Sequence, residues 1–434
     1  MIVIGAGPAG LATALLLSKR GHKVTVYEAR KAFDFDARNS YPIGVNPRGQ
    51  ETLRQISPEV LQKLKDGGRT IEAFNIWADT RRVASLESGT LIAATRAHVT
   101  QLLHEEAQRT DRITIKTGHR LVDLDFDNRL LKFETANGDV VVDASESRVI
   151  AADGTHSRVR RSLAEQIRSF HPRTEDWGVD FRVLRSEPGA QAPKMDPNIH
   201  HIFTSRGAYA AAAKDGSWNV VLSAGENDRE LLLSHEPTEE NTTALRNYVC
   251  RYAPLASELL GPDEYRAFFG RKSFSGAVVR CDRLAFEEWA ILIGDAAHSV
   301  IPPTGEGVNS ALEDARLLAE AEGSATWFAD FESSRLPDLQ ALGVYATVLK
   351  NNLNSTDPAR SAADVIVRIL DTAAARLGLP SASVEQRLFG PEAGVLPYRT
   401  AIGPWIHQRF TLHPKVQSAV RRLLRMKNTP FSAE

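Results

Sequence analysis

Gly5, Gly7 and Gly10 are spaced G-x-G-x-x-G with Ala9 inside the run, and Glu28 follows Gly10 by eighteen residues. Glycines at this spacing allow a tight turn and the close approach of a pyrophosphate. A helix start supplies N–H donors, and an acid at the end of the next strand accepts from ribose hydroxyls. That chemistry is dinucleotide binding. The acidic Glu28 disfavours a 2′-phosphate, so the tightly held nucleotide is expected to be FAD or NAD rather than NADP, with Ala29 and Arg30 beyond it expected among the cofactor-binding residues. A structural glycine turn is the bland alternative; the strand, helix and acid all falling where binding needs them argue against it.

Two further stretches carry chemistry. In "AADGTHSRVRRSL", Asp153 and Gly154 follow a buried run and mark the carboxyl edge of a sheet, where ligands bind, although taken alone they make an ordinary turn. In "ILIGDAAHSVIPPTGEGVNSALEDA" (291–315), Gly294 and Asp295 are expected to end a strand, and the carboxylate can accept from a ribitol hydroxyl. Gly305 and Gly307 keep side chains off a flat ring. Val308, Ala311, Leu312, Ala315 and Leu318 give the following helix a buried face, and its N-terminal amides suit an electron-rich flavin edge. A proline-rich turn with a helix cap is the alternative here.

These residues need elements to hold them. Alternating apolar and helical patterns in the N-terminal third predict a parallel sheet covered by helices, with strands Ile2–Ile4 and Val24–Tyr27 and a helix from about Pro8. Asn137-Gly138 and Asp215-Gly216 predict tight hairpins, and 177–225 reads as an antiparallel sheet. Helical pattern returns at 244–260 and dominates after about 340. The chain leaves one domain, builds a second and comes back.

At 434 residues the chain exceeds one ordinary core. With 53 basic against 54 acidic residues it has no excess charge for nucleic acid. Cys250 and Cys281 are too few for a disulfide scaffold or zinc cluster, which favours a reducing compartment and a cytoplasmic location. The apolar N-terminus lacks the basic flank of a signal peptide. His200 and His201 are adjacent and would face opposite sides of a strand, the histidines show no metal spacing, and no hydrolytic triad is evident. The tail "KVQSAVRRLLRMKN" sets Val416, Ala419, Val420, Leu423 and Leu424 beside Arg421, Arg422 and Arg425. It reads as a docked or oligomer-forming helix, with a membrane surface as the alternative partner.

Taken together and in order, "VIGAGPAGLATALLLSKRGHKVTVYEAR", "ADGTHSRVRRSL" and "LIGDAAHSVIPPTGEGVNSALEDARLLAE" resemble the group A FAD-dependent aromatic hydroxylases, flavoprotein monooxygenases of the para-hydroxybenzoate hydroxylase fold. The pattern covers about residues 1–340. "DARNSYPIGVNPRG" and "NIHHIFTSRGAYAAAAKDGSWNVV" are similar to kynurenine 3-monooxygenase-like members. The resemblance implies an α/β fold: a Rossmann-like FAD-binding domain (1–70, 96–165, 280–340), an interleaved antiparallel β-sheet substrate domain (71–95, 166–279) and a C-terminal helical region (341–434). It implies FAD contacts at Gly5–Gly10, Glu28, Arg96, Asp153, Arg160 and Asp295, with Gly305, Gly307, Val308 and Asn309 facing the isoalloxazine. Pro302 or Pro303 would shape the reaction site with Gly305. It also implies that NADPH or NADH reduces FAD during a brief visit, and that O₂ adds to form a C4a-hydroperoxide that hydroxylates a small aromatic substrate.

Ile202, Tyr209 and Ala211 are expected to line the substrate wall. Kynurenine hydroxylases hold the substrate carboxylate with an arginine and with a tyrosine four residues before the position of Arg96. Ile92 stands at that place, the pattern around Arg81 and Arg82 is not theirs, and "PPTGEG" replaces an aromatic-containing turn. A less polar or differently charged aromatic substrate is therefore expected. Other users of the fold, halogenases or reductases, and a non-catalytic FAD-binding protein are the competing readings.

Overall fold

A computed structural model describes residues 1–204, 208–353, 384–390 and 396–427, with scattered positions between 354 and 395. A six-stranded sheet forms the base, in the order Ala285–Phe286, Ala290–Leu292, Val149–Ala151, Ile2–Ile4, Val24–Tyr27, Ile113–Lys116. All neighbours are parallel except the first pair. The three central strands are buried at every position, as a parallel sheet covered on both faces requires. The helix Pro8–Lys19, with Pro8 in its first turn, is buried along almost its whole length between this sheet and the helix Gly307–Ala321.

The second sheet has seven strands in the order Asp180–Arg185, Trp218–Ala224, Ala208–Ala212, Ile199–Phe203, Arg69–Ala78, Arg81–Thr95, Pro42–Val45. Both predicted hairpins form, with Gly138 at φ +106° and Gly216 at φ +81° taking the left-handed turns. One face of this sheet carries Trp77, His201, Phe203, Ala210, Trp218 and Val220. It packs on the helices Glu239–Tyr252, Pro254–Ser257 and Pro262–Ala267 through Leu245, Val249, Leu255 and Tyr265. By strand alternation the opposite face carries Phe74, Ile76, His200, Ile202, Tyr209, Ala211 and Val221.

Several sequence expectations need refinement. Strand Pro42–Val45 lies inside the 1–70 segment yet pairs with Arg81–Thr95 in the second sheet, because the apolar "PIGV" completes that sheet's edge. The helix Trp327–Leu353 runs across the 340/341 boundary, with Pro337 inside it. Asp295 does not end a strand: the strand stops at Leu292, and Asp295 opens a short helix, Asp295–His298. Val308 is half-buried, whereas Ala311, Leu312, Ala315 and Leu318 are buried as expected. In the terminal helix His413–Lys427, Leu423 is 63% exposed, while the side chains of Leu424 and Arg425 lie outside the described residues. Among the described residues no helix is long and apolar enough to cross a membrane.

Candidate active site

The parallel strands Ile2–Ile4 and Val149–Ala151 end side by side, and their carboxyl edge gathers the first two motifs. Gly5 has φ +98°, and a Cβ there would stand 2.4 Å from the Ala152 carbonyl oxygen. A Cβ on Gly10 would stand 2.0 Å from the Gly5 oxygen, so the turn closes only as glycine. Gly7 differs: a Cβ there would meet nothing but Arg96 Nη2, at 3.8 Å. The turn is open toward that guanidinium, which sits at the start of the helix Arg96–Gln108.

Glu28 is buried and engaged. Its Oε2 accepts from the Ala6 N–H at 2.8 Å and its Oε1 from the Arg30 N–H and Nε at 2.9 and 2.8 Å. Burial works to raise this carboxyl, but the bonds from Arg30 and Ala6 outweigh it and hold it below the ordinary carboxylate range. It is a fixed, ionised acceptor beside the glycine turn. Ala29, between it and Arg30, supplies only backbone.

Asp153 Oδ2 caps the helix Arg158–Gln166, accepting from the N–H groups of Arg158 and Val159 at 2.8 and 3.2 Å. Its Oδ1 is buried without a hydrogen-bond partner, an acceptor left for a ligand. Gly154, at φ +82°, has open space where a side chain would be. Arg160 is spent internally: Nη1 donates to the Ala296 carbonyl at 2.8 Å and Nη2 to that of Thr155 at 2.6 Å. It clamps the Asp153 and Asp295 motifs together, so its service to a cofactor is positional.

Gly294, at φ +55°, lets the helices bearing Ala9 and Ala311 close on the strand end; a Cβ there would stand 3.0 and 3.3 Å from those methyls. Asp295 follows. Burial raises its carboxyl above the usual range, with Arg96, His298 and Thr155 pulling the other way. Beneath it, Asp314 accepts from the Gly294 N–H at 2.8 Å, from His298 Nε2 at 2.5 Å and from Arg335 Nε at 2.8 Å. Pro302 and Pro303 open a single 3₁₀ turn, Gly305 closes it at φ +65°, and Gly307 starts the next helix. The Asn309 side chain points inward, donating to the carbonyls of Gly44 and Gly305 and accepting from the Asn46 N–H, so only its backbone is left to face a ligand.

A glycine cradle, Arg96 above Gly7, the acceptors of Glu28 and Asp153, and a buried acid beside a glycine turn fit an extended FAD. Residues 1–321 match the family model described as "FAD binding domain". The chain belongs to that family. Curated relatives include the kynurenine 3-monooxygenase of Stenotrophomonas maltophilia (27% identical, covering 85% of this chain and 82% of that protein). That of Neurospora crassa is 24% identical, covering 73% and 68%. The p-nitrophenol 4-monooxygenase PnpA from Pseudomonas putida superposes with a TM-score of 0.66 at 19% identity, over 84% of this chain and 91% of that one. Pseudomonas aeruginosa PqsL with 2-aminobenzoylacetate superposes at 0.61 and 21% identity, over 82% and 96%. This family member is an FAD-dependent, NAD(P)H-consuming monooxygenase with the fold of its group.

Two aromatic side chains near the Pro302–Gly307 turn belong to no sequence motif. Phe389, from the helix Val384–Phe389, stands 2.7 Å from where a Cβ on Gly305 would be. The Phe74 ring is 5.5 Å from Phe389 and 5.5 Å from His200. His200 Nδ1 in turn lies 2.6 Å from the Tyr209 hydroxyl.

Proposed function

We propose that this monooxygenase hydroxylates a small, weakly polar aromatic ring held between the flavin-facing turn and the open face of the seven-stranded sheet. The observation that carries the reading is the continuous row Gly305, Phe389, Phe74, His200, Tyr209, which runs from that turn onto the sheet. Ile202 pairs with Tyr209 across the strands, and Ala211 lies two residues along the same face, so the three expected wall residues share one surface. Bound FAD supplies O₂ activation; the chain's own residues orient the ring, exclude water and hold charge. Phe74 and Phe389 offer ring edges and faces, and the His200–Tyr209 pair offers the polar contact for a ring substituent.

The cleft side supports a substrate other than kynurenine. Ile92, where a carboxylate-binding tyrosine would be needed, is buried in the main core, and Arg81 and Arg82 sit exposed at the tip of the hairpin joining Ala78 to Arg81. The deciding assay is NAD(P)H oxidation by the FAD-loaded protein with a panel of phenols, anilines and aryl carboxylates. Stimulation by neutral ring compounds, with hydroxylated product, is expected. Stimulation confined to amino-acid-bearing rings would refute the reading.

A further inference from the structure

Glu306 stands between the two flavin-facing glycines, yet its side chain turns away from the cleft and is fully buried. Its Oε2 accepts from the Tyr398 hydroxyl at 2.6 Å and its Oε1 from Asn46 Nδ2 at 2.9 Å. Both partners are neutral. The cations nearby are committed elsewhere. Arg48 donates to Glu313 at 2.9 Å and to the Leu396 carbonyl; Arg335 donates to Glu313 at 2.7 Å and to Asp314 at 2.8 Å. Neither guanidinium donates to Glu306, though their Cζ atoms lie 4.1 and 5.4 Å from the Tyr398 ring centroid.

Arg316 also stands 3.6 Å from Glu313, His298 2.5 Å from Asp314, and Arg335 3.9 Å from Asp338, so each of these basic side chains is paired with an acid other than Glu306. A buried carboxylate with only neutral partners favours its protonated form. We propose that Glu306 is a proton-holding positioning residue. Its carboxyl ties the flavin-facing turn to Asn46 and, through Tyr398, to the helix Tyr398–Thr411, and its ionisation opposes the negative charge a flavin gains on reduction. The proposal rests on the FAD reading above. Burial, with the charge of Glu313, pushes the carboxyl up to about 7, against the pull of Arg48, Tyr398 and Asn46. The proton therefore exchanges in the range where such an enzyme would work.

The sign for stability follows. The carboxyl holds its proton to a higher pH folded than unfolded, so folding loses stability as pH rises from the unfolded value of 4.5 to about 7, and then levels. Glu306→Gln mimics the neutral form and should remove that loss. Tyr398→Phe, which deletes a bond favouring the ionised form, should move the inflection to higher pH while keeping the ring between Arg48 and Arg335.

The experiment measures thermal melting of the FAD-loaded protein against pH, and the midpoint potential of its bound FAD against pH, in wild type and both variants. Wild type should show an inflection near pH 7 in melting and a steeper fall of potential through that range; Glu306→Gln should show neither. Equal melting profiles in wild type and Glu306→Gln would overturn the proton assignment. Different melting profiles with equal slopes of potential would overturn the coupling to flavin. Failure of the FAD reading shows itself separately, as no bound-flavin absorbance in wild type, and it too overturns the coupling.

Discussion

Arg96 Nη2 stands 3.8 Å from where a Cβ on Gly7 would be, whereas a Cβ on Gly10 would stand 2.0 Å from the Gly5 oxygen. The two glycines of one motif therefore do different work. Gly7 keeps room for a ligand under a guanidinium; Gly10 lets the backbone close on itself.

Alanine substitutions should separate these roles. Gly7→Ala should melt like wild type and bind FAD about tenfold or more weakly, roughly 1.4 kcal/mol. Gly10→Ala overpacks a closed turn and should cost about 1–3 kcal/mol of stability along with the flavin. Fluorescence titration with FAD and thermal melting read the two effects. Equal behaviour of the two variants would refute the division.

At the ribitol end, Asp295→Ala should lower flavin retention about ten- to a hundredfold, since a buried hydroxyl losing its acceptor costs about 1–3 kcal/mol. Glu28→Ala should weaken FAD more modestly, because a ribose contact is a smaller share of the binding surface. Absorbance of the purified variants after gel filtration checks both. Full flavin content in Asp295→Ala would remove that residue from the site.

The parallel sheet and the cradle were legible because their signals are local: a glycine spacing, a strand, a helix and an acid within thirty residues. Asn137-Gly138 and Asp215-Gly216 were legible for the same reason. Asp295 was misread as a strand end because "AILIGD" gives no hint that the strand stops three residues sooner, at Leu292, and that Gly294 at φ +55° turns the chain into a helix at Asp295. Phe389 and Tyr398 left no local trace. Their meaning comes from contacts with Gly305 and Glu306 across more than eighty residues, and sequence periodicity does not encode contacts between distant elements. Asp153 was read as a ligand acid, and half of it serves as a helix cap, a second use its type permits equally.

Arg335 bridges two acids of the Gly307–Ala321 helix, Glu313, which Arg48 also engages, and Asp314, which His298 also engages, and it is 1% exposed. Arg335→Ala leaves Asp314 and Glu313 underpaired in the interior, a loss of about 3–5 kcal/mol. Melting or urea unfolding should show it. The exposed pair Arg38–Asp36, opened by Arg38→Ala, should leave the same curves unchanged.

His200 bears on acid sensitivity. Burial, reinforced by His201, lowers it to about 3, so it is neutral in the fold while an unfolded histidine would protonate near 6.5. Stability is therefore lost as pH falls from 6.5 toward 3. His200→Asn, which retains an acceptor for the Tyr209 hydroxyl, should show a smaller drop in melting temperature between pH 7.5 and pH 5. An unchanged drop would mean that His200 is already protonated or exposed in solution.

Kynurenine itself should be a poor substrate, although 24–27% identity links the chain to kynurenine 3-monooxygenases. An amino-acid carboxylate buried in the cleft needs charge-assisted donors. Ile92 offers none, and its side chain is 3% exposed in the main core. Among the described residues of the sheet's open face, the cation Arg185 is engaged by Ser217 and by Asp215 at 3.5 Å. An unpaired carboxylate there would lose roughly 1–3 kcal/mol or more, ten- to a hundredfold in kcat/KM. Ile92→Tyr alone should not restore it, since the hydroxyl would enter a closed core. Steady-state assays with kynurenine and NADPH decide the matter: efficient, tightly coupled 3-hydroxylation by the wild-type protein would place a carboxylate-binding contact in the cleft that these residues do not provide.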